Sequence, residues 1–364
     1  MEKLDIRSMT DEEIGSALAD LGLPKYRMTQ ICGWVRRGIK DFSEMTDIPK
    51  GLRATLSERF FLTSVTTVRR LVSAIDGTVK YLYRLFDGEY VESVFMRYHH
   101  GCTVCISTQV GCRMGCKFCA SGLNGKSRDL TASEMLAQVE EAARDNGERI
   151  SNVVMMGMGE PLDNYDNSVR FLHLVGDERG TGIGMRHISL STSGVVSGIY
   201  RLAEEGLPIT LSVSLHAPTD ELRNKIMPVN NKWNTEALFT ACRDYIKATG
   251  RRISFEYAMI DGFNDDDGCA EILASRLKGM LCHINLIPAN PVKENSFRSP
   301  DRKTVEHFRD KLMSLGMNAT VRRTLGADIN ASCGQLRRAE SEGRPELEGR
   351  PESKEESEPE GRAQ

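Results

Sequence analysis

The stretch TVCISTQVGCRMGCKFCASG, residues 103–122, decides the fold of this chain. Its first residues are rich in β-branched side chains, and its second half is a Gly-containing loop with Cys112, Cys116 and Cys119. Strand propensity followed at once by Gly and Cys predicts a strand that ends in a loop carrying three thiols.

The spacing C-x3-C-x2-C offers three ligands, one fewer than a structural zinc site or a ferredoxin cluster usually has. No second C-x2-C and no pair of histidines follows nearby. We therefore expect three thiolates to bind three irons of one 4Fe–4S cluster and to leave the fourth iron open to a small molecule. A zinc site is the alternative.

From Thr103 onward, short apolar segments alternate with longer segments of helical character. The short apolar segments have strand character, and there are six: TVCISTQV, NVVMMGMG, HISLSTSG, ITLSVSLHA, RISFEYAMI and HINLIPAN. Such alternation predicts an α/β fold with a parallel sheet, either a partial (β/α)6 barrel or an open doubly wound sheet. In a barrel, the loops at the carboxyl ends of the strands carry the chemistry.

The residues before this core predict two further parts. Residues 1–60 have helical character, and Thr10 with Glu13 forms the capping-box pattern of a helix start. Residues 61–98 predict a β-hairpin extension, because Asp76 and Gly77 stand between two β-rich segments.

The composition, with 40% hydrophobic and 27% charged residues among 364, is typical of a soluble globular protein. The formal net charge is −3, and the residues from Ala339 onward contribute nine acidic and four basic groups to it. We expect residues 337–364 to form a disordered acidic tail. Since the chain shows neither a signal peptide nor a membrane span, we expect it in the cytoplasm. In that reducing compartment, its ten cysteines are more typical of metal ligands and catalytic groups than of disulfides.

The motif C-x3-C-x-F-C after the first strand of a repeated strand–helix core resembles the radical S-adenosylmethionine (SAM) superfamily. That resemblance implies a partial (β/α)6 barrel, with a cluster held by Cys112, Cys116 and Cys119 and SAM chelating the open iron. GEP at residues 159–161 and polar residues at later strand ends agree with a SAM site in that barrel. The implied SAM contacts are Gly159, Glu160, Ser191, Ser214, Leu215, His216 and Asn290.

Two further cysteines point to a subfamily. Cys105 lies seven residues before Cys112, and Cys333 lies in the polar stretch DINASCGQL. Together with VESV, GEPLDN and STSG, this arrangement resembles the RlmN/Cfr family of RNA adenine methyltransferases. By that resemblance, the Cys333 sulfur takes a methyl group from one SAM. A second SAM then activates this S-methyl group, which becomes joined to adenine. Glu92 then accepts the adenine proton, and Cys105 attacks the Cys333 sulfur, which releases the product and leaves a transient disulfide.

The implied activity is methylation of carbon-2 of an adenosine in 23S ribosomal RNA, with transfer RNA as a further candidate substrate. Carbon-8 methylation of the Cfr type, which confers antibiotic resistance on ribosomes, is the alternative. A radical SAM activating enzyme and a metal-stabilised RNA-binding module are more remote ones. We expect a monomer that receives electrons from a flavodoxin or ferredoxin, with an RNA-binding accessory domain at residues 1–60, the β extension at 61–98, and the radical SAM core at 99–336.

Overall fold

The computed structural model describes residues 3–123, 125–289, 297–329 and 331. Three sequence predictions, those on Asn290, Cys333 and the acidic tail, lie outside the described residues. None of the helices within the described residues has the length and hydropathy of a membrane span.

The N-terminal residues form a small helical unit around a hydrophobic cluster of their own. Its helices are α1 (Asp11–Ala17), α2 (Lys25–Arg36) and α3 (Lys50–Arg59), and the short parallel strands β1 (Leu4–Asp5) and β2 (Phe60–Phe61) join its two ends. The predicted capping box is present, since Thr10 accepts from the Glu13 backbone and Glu13 accepts from the Thr10 backbone. Ile14, Ile31 and Leu56 are fully buried in this cluster.

The predicted hairpin is present and continues into a third antiparallel strand. β3 (Thr66–Val72) pairs with β4 (Val79–Arg84), which pairs with β5 (Tyr90–Tyr98), which pairs in turn with β6 (Gly101–Cys105). Gly77 has φ of +71°, the left-handed conformation that the Asp-Gly pattern predicts. Because β5 pairs with β6, the extension and the core form one sheet.

A small hairpin stands between β6 and the rest of the core. Its antiparallel strands, β7 (Gln109–Gly111) and β8 (Lys126–Asp129), form a separate two-stranded sheet. Residues 112–125 lie between these two strands and include the three cysteines of the motif.

The remaining strands run parallel to β6 in one ten-stranded sheet. They are β9 (Ile150–Met155), β10 (Ile188–Thr192), β11 (Thr210–Ser214), β12 (Ile253–Met259), β13 (Cys282–Pro288) and β14 (Ala319–Val321). The strand order is β14-β13-β12-β11-β10-β9-β6-β5-β4-β3, with β14 and β3 at the two ends. The predicted α/β class is therefore confirmed, and the core has the parallel strands and helical crossovers of the predicted partial barrel.

The number of parallel strands differs from the prediction of six, because β14 adds a seventh. This strand has only three residues, and one of them, Thr320, is exposed. Its register is fixed by pairing with β13, where Ile284 lies opposite Ala319 and Leu286 opposite Val321. So short a strand, supported by its neighbour, carries no periodic signal of its own.

Helices connect the parallel strands and cover the sheet. They are α4 (Ala132–Asn146), α5 (Tyr165–Val175), α6 (Val196–Glu204), α7 (Asp220–Ile226), α8 (Thr235–Thr249), α9 (Asp267–Leu277) and α10 (Arg302–Ser314). Helix α4 begins with a capping box between Thr131 and Glu134 and ends at Gly147, whose φ is +63°. One hydrophobic cluster joins these helices to the strands and includes Tyr81 and Phe95 of the extension.

Candidate active site

The cysteine loop begins directly after β7, not directly after β6 as the sequence predicted. The cause lies in residues 107–109, whose backbone groups bond to partners outside the main sheet. Gln138 Oε1 accepts from the Ser107 backbone at 2.9 Å, and the Met158 carbonyl accepts from the Thr108 backbone at 2.8 Å. These bonds end β6 and direct the chain into β7. The loop therefore lies at the carboxyl edge of the sheet, separated from β6 by the short strand β7.

One side of the loop packs against an apolar cluster, whose residues follow β11, α7 and β12. Met114, Cys116 and Phe118 pack against a cluster that includes Ala217, Met227 and Ile260. The loop backbone is fixed at Lys117, which donates to the Ile226 carbonyl at 2.9 Å.

The three thiols suit a polynuclear metal cluster. All three are partly buried. Burial, then the nearby negative charge of Cys119, raises the pKa of the Cys112 thiol to about 12, and the same causes raise the pKa of Cys116. Bound iron cations would favour the thiolate forms of these cysteines, which are the forms that bind metal.

Within the described residues, no group of three His, Cys, Asp or Glu side chains is placed to hold a single metal ion. A cluster does not require such a group, because each thiolate binds a different iron. The donor set and its apolar surroundings therefore fit the cluster that the motif predicts.

Gly159 and Glu160 lie beside this loop. A Cβ at Gly159, which has φ of +106°, would lie 2.6 Å from the backbone nitrogen of Gln109, so only glycine fits there. Glu160 is 3% exposed, and its carboxylate accepts backbone hydrogen bonds from Ser193 at 2.6 Å and from Leu162 at 3.1 Å. Burial raises the pKa of Glu160. A buried carboxylate held by backbone groups is suited to receive a ligand ammonium group.

Ser191, Ser214 and Leu215 follow at the ends of the next two strands. Ser191 is half-buried near the end of β10, and Ser214 is the last residue of β11. The Leu215 side chain is fully buried in the main core, and its backbone nitrogen donates to the Glu256 carbonyl. Any contact of Leu215 with a ligand would therefore be through its backbone.

His216 has an unusual backbone and a neutral ring. Its φ is +57°, the one positive φ of a non-glycine residue in the described part of the chain. Burial, then the charge of Arg223, lowers its pKa to about 3. Its Nδ1 accepts from the Ala258 backbone at 2.8 Å, so Nε2 carries the proton, and its ring packs edge-to-face on Phe118 of the cysteine loop at 4.7 Å. His216 thus connects β12 to the loop.

Arg223 is a site residue that the sequence analysis missed. Its guanidinium is fully buried and donates to the carbonyls of Ser193, Ser214 and Leu215 at 2.6, 3.1 and 3.1 Å. It therefore joins the ends of β10 and β11. In the sequence it stands in TDELRNKI, where alternating charges indicate a solvated helix, so no local signal marks it.

Glu92 and Cys105 face the same side of the extended sheet. Cys105 is buried in a cluster with Val94 and Met96 of β5, and residues two apart on a strand share a face. Glu92 is also buried. It forms an ion pair with Lys80 of β4, with Nζ 3.2 Å from Oε2. Lys80 too was missed, because alternation in β4 gives no sign that a lysine is buried.

Cys102 lies apart from Cys105. Its Sγ donates to Glu148 at 3.0 Å, and its side chain belongs to the main core cluster. These two cysteines of β6 therefore have different surroundings, as expected for residues an odd number apart on a strand.

The segment that precedes Cys333 is held by the turn of the extension. Asp328 accepts from the Ser73 hydroxyl at 2.6 Å and from the Ala74 backbone at 2.8 Å. In return, Asp76 of the turn accepts from the Gly326 backbone at 2.9 Å. We call this pair of carboxylates, Asp76 and Asp328, the aspartate clasp. Next to it, Leu325 and Ala331 pack against the cluster that contains Cys105.

Two family models match the chain. The model described as Radical SAM superfamily matches residues 106–270, and the model described as Ribosomal RNA large subunit methyltransferase N-terminal domain matches residues 4–62. The boundaries agree with the parallel core and with the N-terminal helical unit.

Relatives with assigned names match nearly the whole length. A protein of Alkaliphilus oremlandii named "Probable dual-specificity RNA methyltransferase RlmN" is 53% identical, over 93% of this chain and 98% of the relative. A protein of the same name from Desulforamulus reducens is 52% identical, over 92% and 96%. The chain belongs to the RlmN family.

The fold also matches that of a solved methyltransferase. The crystal structure of a radical SAM methyltransferase from Sphaerobacter thermophilus is 46% identical, with a TM-score of 0.86, and the match covers 91% of this chain and 98% of that one. The RlmN-family assignment confirms the predicted resemblance, and it makes the chain a radical SAM methyltransferase whose cofactors are a 4Fe–4S cluster and SAM.

Proposed function

We propose that this RlmN-family chain methylates carbon-2 of an adenosine in 23S ribosomal RNA, with transfer RNA as a second substrate. Cys333 would carry the methyl group and form a transient disulfide with Cys105. The relatives' name, dual-specificity RNA methyltransferase, supports an RNA substrate. The observation that carries the mechanism is that Ala331 packs against the cluster containing Cys105.

The spacing along the chain supports this pairing of cysteines. Cys333 is two residues beyond Ala331, and two residues span at most about 7 Å of extended chain. The Cys105 side chain packs with Val94 and Met96 in the cluster that Ala331 also contacts, so a sulfur two residues beyond Ala331 would be close enough for exchange with it. The aspartate clasp supports the proposal further, because it directs the segment before Cys333 towards the face of the sheet on which Cys105 lies.

Each remaining site residue has a proposed role that follows from its position. Cys112, Cys116 and Cys119 would bind three irons and leave the fourth to SAM. When bound, the cluster and SAM supply the one-electron chemistry that activates an unreactive C–H bond. Glu160 would receive the SAM amino group at the close approach that Gly159 allows. Ser191, Ser214, the Leu215 backbone and the neutral His216 would complete the pocket with Asn290.

Glu92 would accept the proton that adenine loses. The carboxylate is buried on the face that carries Cys105, and its Oε2 lies 3.2 Å from the Lys80 ammonium. A water-excluded carboxylate within reach of the attached adenine is suited to act as a base.

Further proposals concern organisation and partners. We propose two SAM molecules per turnover, a flavodoxin or ferredoxin as the electron donor, a monomeric cytoplasmic protein, and the domain boundaries 1–60, 61–98, 99–336 and 337–364. The family matches at 4–62 and 106–270 support the first and third of these parts.

The test separates the two catalytic cysteines. Cys333→Ala should give no methylated RNA and no covalent adduct, because the methyl carrier is gone. Cys105→Ala should accumulate protein joined to RNA, seen as a nuclease-sensitive shift on a denaturing gel. Cys102→Ala is the matched control, since Cys102 lies on the same strand but bonds to Glu148.

Mass spectrometry of the RNA product decides the position of the methyl group. The proposal expects 2-methyladenosine, and 8-methyladenosine would assign the chain to the Cfr type of activity. Normal turnover by Cys105→Ala, or adduct formation by Cys102→Ala, would refute the assigned roles.

A further inference from the structure

We propose that a groove between β14 and α10 binds the phosphodiester backbone of the substrate RNA. The groove has a volume of about 610 Å³, in the size range of ordinary ligand pockets. Its lining combines apolar surface with one glutamate, Glu306, and four arginines: Arg302, Arg309, Arg322 and Arg323. This inference rests on the proposed function and names where the RNA would be held.

The charges of the groove are incompletely balanced. Arg302 pairs with Glu306 at 2.7 Å, and Arg309 pairs with Asp310 at 2.7 Å. Arg322 and Arg323 make no ion pair with any carboxylate of the described residues. The guanidinium groups of both residues can therefore bind an anion. This local positive charge contrasts with the net charge of −3 of the whole chain. Arginine is the residue best matched to phosphate, because its planar donors bind two oxygens at once.

The backbone that presents these arginines is fixed. Val321 ends β14, and the Arg322 nitrogen donates to the Leu286 carbonyl of β13 at 2.8 Å, which extends the pairing by one residue. The two arginines are therefore attached to the rigid edge of the sheet and not to a free loop, which lowers the entropy lost on binding.

The groove lies beside the catalytic segment. Pro288 and Val321 mark the carboxyl ends of β13 and β14, the edge of the sheet that also carries the cysteine loop and Glu160. Two residues after Arg323 comes Leu325, which packs against the cluster of Cys105. A phosphate in the groove would therefore belong to a nucleotide that flanks the adenosine presented to Cys333.

Phosphate contacts provide affinity without reading sequence, and each contact adds to the salt dependence of binding. The test uses a single-stranded RNA of mixed sequence, with fluorescence anisotropy measured between 50 and 200 mM salt. One lost contact lowers the slope of log affinity against log salt by about 0.7 to 0.9, so the ratio of wild-type to variant affinity should fall about threefold across that range. The variants are Arg323→Gln alone and with Arg322→Gln.

Arg252→Gln is the matched control. Arg252 is also an exposed arginine in an Arg-Arg pair, but it precedes β12 at the amino edge of the sheet, opposite the groove. We expect this control to bind RNA with the wild-type salt slope. SAM cleavage in the absence of RNA should be the same in all variants, because none of these arginines belongs to the SAM site.

A second set of variants distinguishes RNA from the acidic C-terminal residues as the occupant. Neutralising Glu340, Glu342, Glu346 and Glu348 to Gln removes the competing anion. If the effect of Arg323→Gln on RNA binding persists in that background, RNA is the occupant. If it vanishes there, or if Arg323→Gln never changes the salt slope, the inference is overturned.

The outcomes also separate this inference from the proposed function. If the wild-type enzyme methylates RNA but its RNA affinity does not depend on Arg322 and Arg323, RNA binding in the groove is refuted and the proposed function stands. Arginine-dependent RNA binding without any methylated adenosine would do the reverse.

Discussion

Replacing Lys80 with Met should destabilise the protein strongly, because it leaves the Glu92 carboxylate buried without the Lys80 ammonium. Both side chains are 1% exposed, and Nζ lies 3.2 Å from Oε2. At that distance, with an effective dielectric constant of about 20, the attraction is about 5 kcal/mol. Desolvation of the two charges offsets most of it in the wild type, but the single variant keeps the cost of burying Glu92 and loses the attraction. We expect a loss of about 3–5 kcal/mol in the free energy of unfolding.

The double variant Lys80→Met/Glu92→Leu tests this explanation. With both charges gone, the site is apolar, and replacement of a buried ion pair by packed hydrophobic residues is often neutral. We expect its stability to lie within about 1 kcal/mol of the wild type, so that the second substitution rescues the first.

Urea unfolding of the reduced protein, followed by circular dichroism and tryptophan fluorescence, measures these differences. Lys40→Met is the control, since Lys40 forms an ion pair of 3.0 Å with Glu141 but is 47% exposed. Its loss should cost less than about 1 kcal/mol. The reasoning would be refuted if Lys80→Met lost less than about 1 kcal/mol in the free energy of unfolding. It would also be refuted if the loss in the double variant equalled the sum of the losses in the two single variants.

Three further predictions address other parts of the site. Replacing any one of the three cluster cysteines with Ala should abolish both the 4Fe–4S content and SAM cleavage in anaerobic protein; a variant that keeps four irons contradicts the assignment. His216→Gly should be more thermostable than His216→Ala by about 1 kcal/mol, because glycine adopts a φ of +57° without strain, and equal stability would show that no strain is present. Although burial opposes it, hydrogen bonds from Gly326 and Thr78 hold the pKa of Asp76 at about 2, below its ordinary 3.8. The stability that these bonds give is present above pH 4 and lost as the pH falls towards 2, so Asp76→Asn should show a smaller acid-induced loss than the wild type in thermal melts at pH 2 to 5.

The sequence predicted those parts of the fold whose signal is local. The Asp76-Gly77 turn, the Thr10 capping box and the alternation of strands with helices all depend on residues close together in the chain, and the structure has each of them. The cysteine spacing likewise identified the family.

The remaining features depend on contacts between distant segments. The β7–β8 hairpin exists because Ser107 and Thr108 bond to residues 31 and 50 positions away. The burial of Lys80 requires that β4 lie beside β5 with Glu92 on the same face. Neither Lys80 nor Arg223 differs, within its own segment, from a solvated charge, so no local pattern could identify them.

The continuous sheet changes how the N-terminal part of the chain should be tested. The RNA-binding role is assigned to residues 1–60, and a cut at residue 98 would also remove β3, β4 and β5, and with them Glu92 and Asp76 of the aspartate clasp. The unit of residues 4–61 is the better subject, since it has its own hydrophobic cluster. It is joined to α4 and α5 by polar contacts, among them Arg170 with Glu13 at 3.0 Å.

Weakening this contact by Arg170→Gln is therefore a milder perturbation than truncation. The substitution removes an ion pair between partly exposed side chains, so it should cost less than about 1 kcal/mol of stability. If the helical unit holds RNA in a fixed position relative to the sheet, this variant should raise the RNA concentration needed for half-maximal methylation while SAM cleavage without RNA stays unchanged. A fall in SAM cleavage would instead show that the unit supports the cofactor site itself.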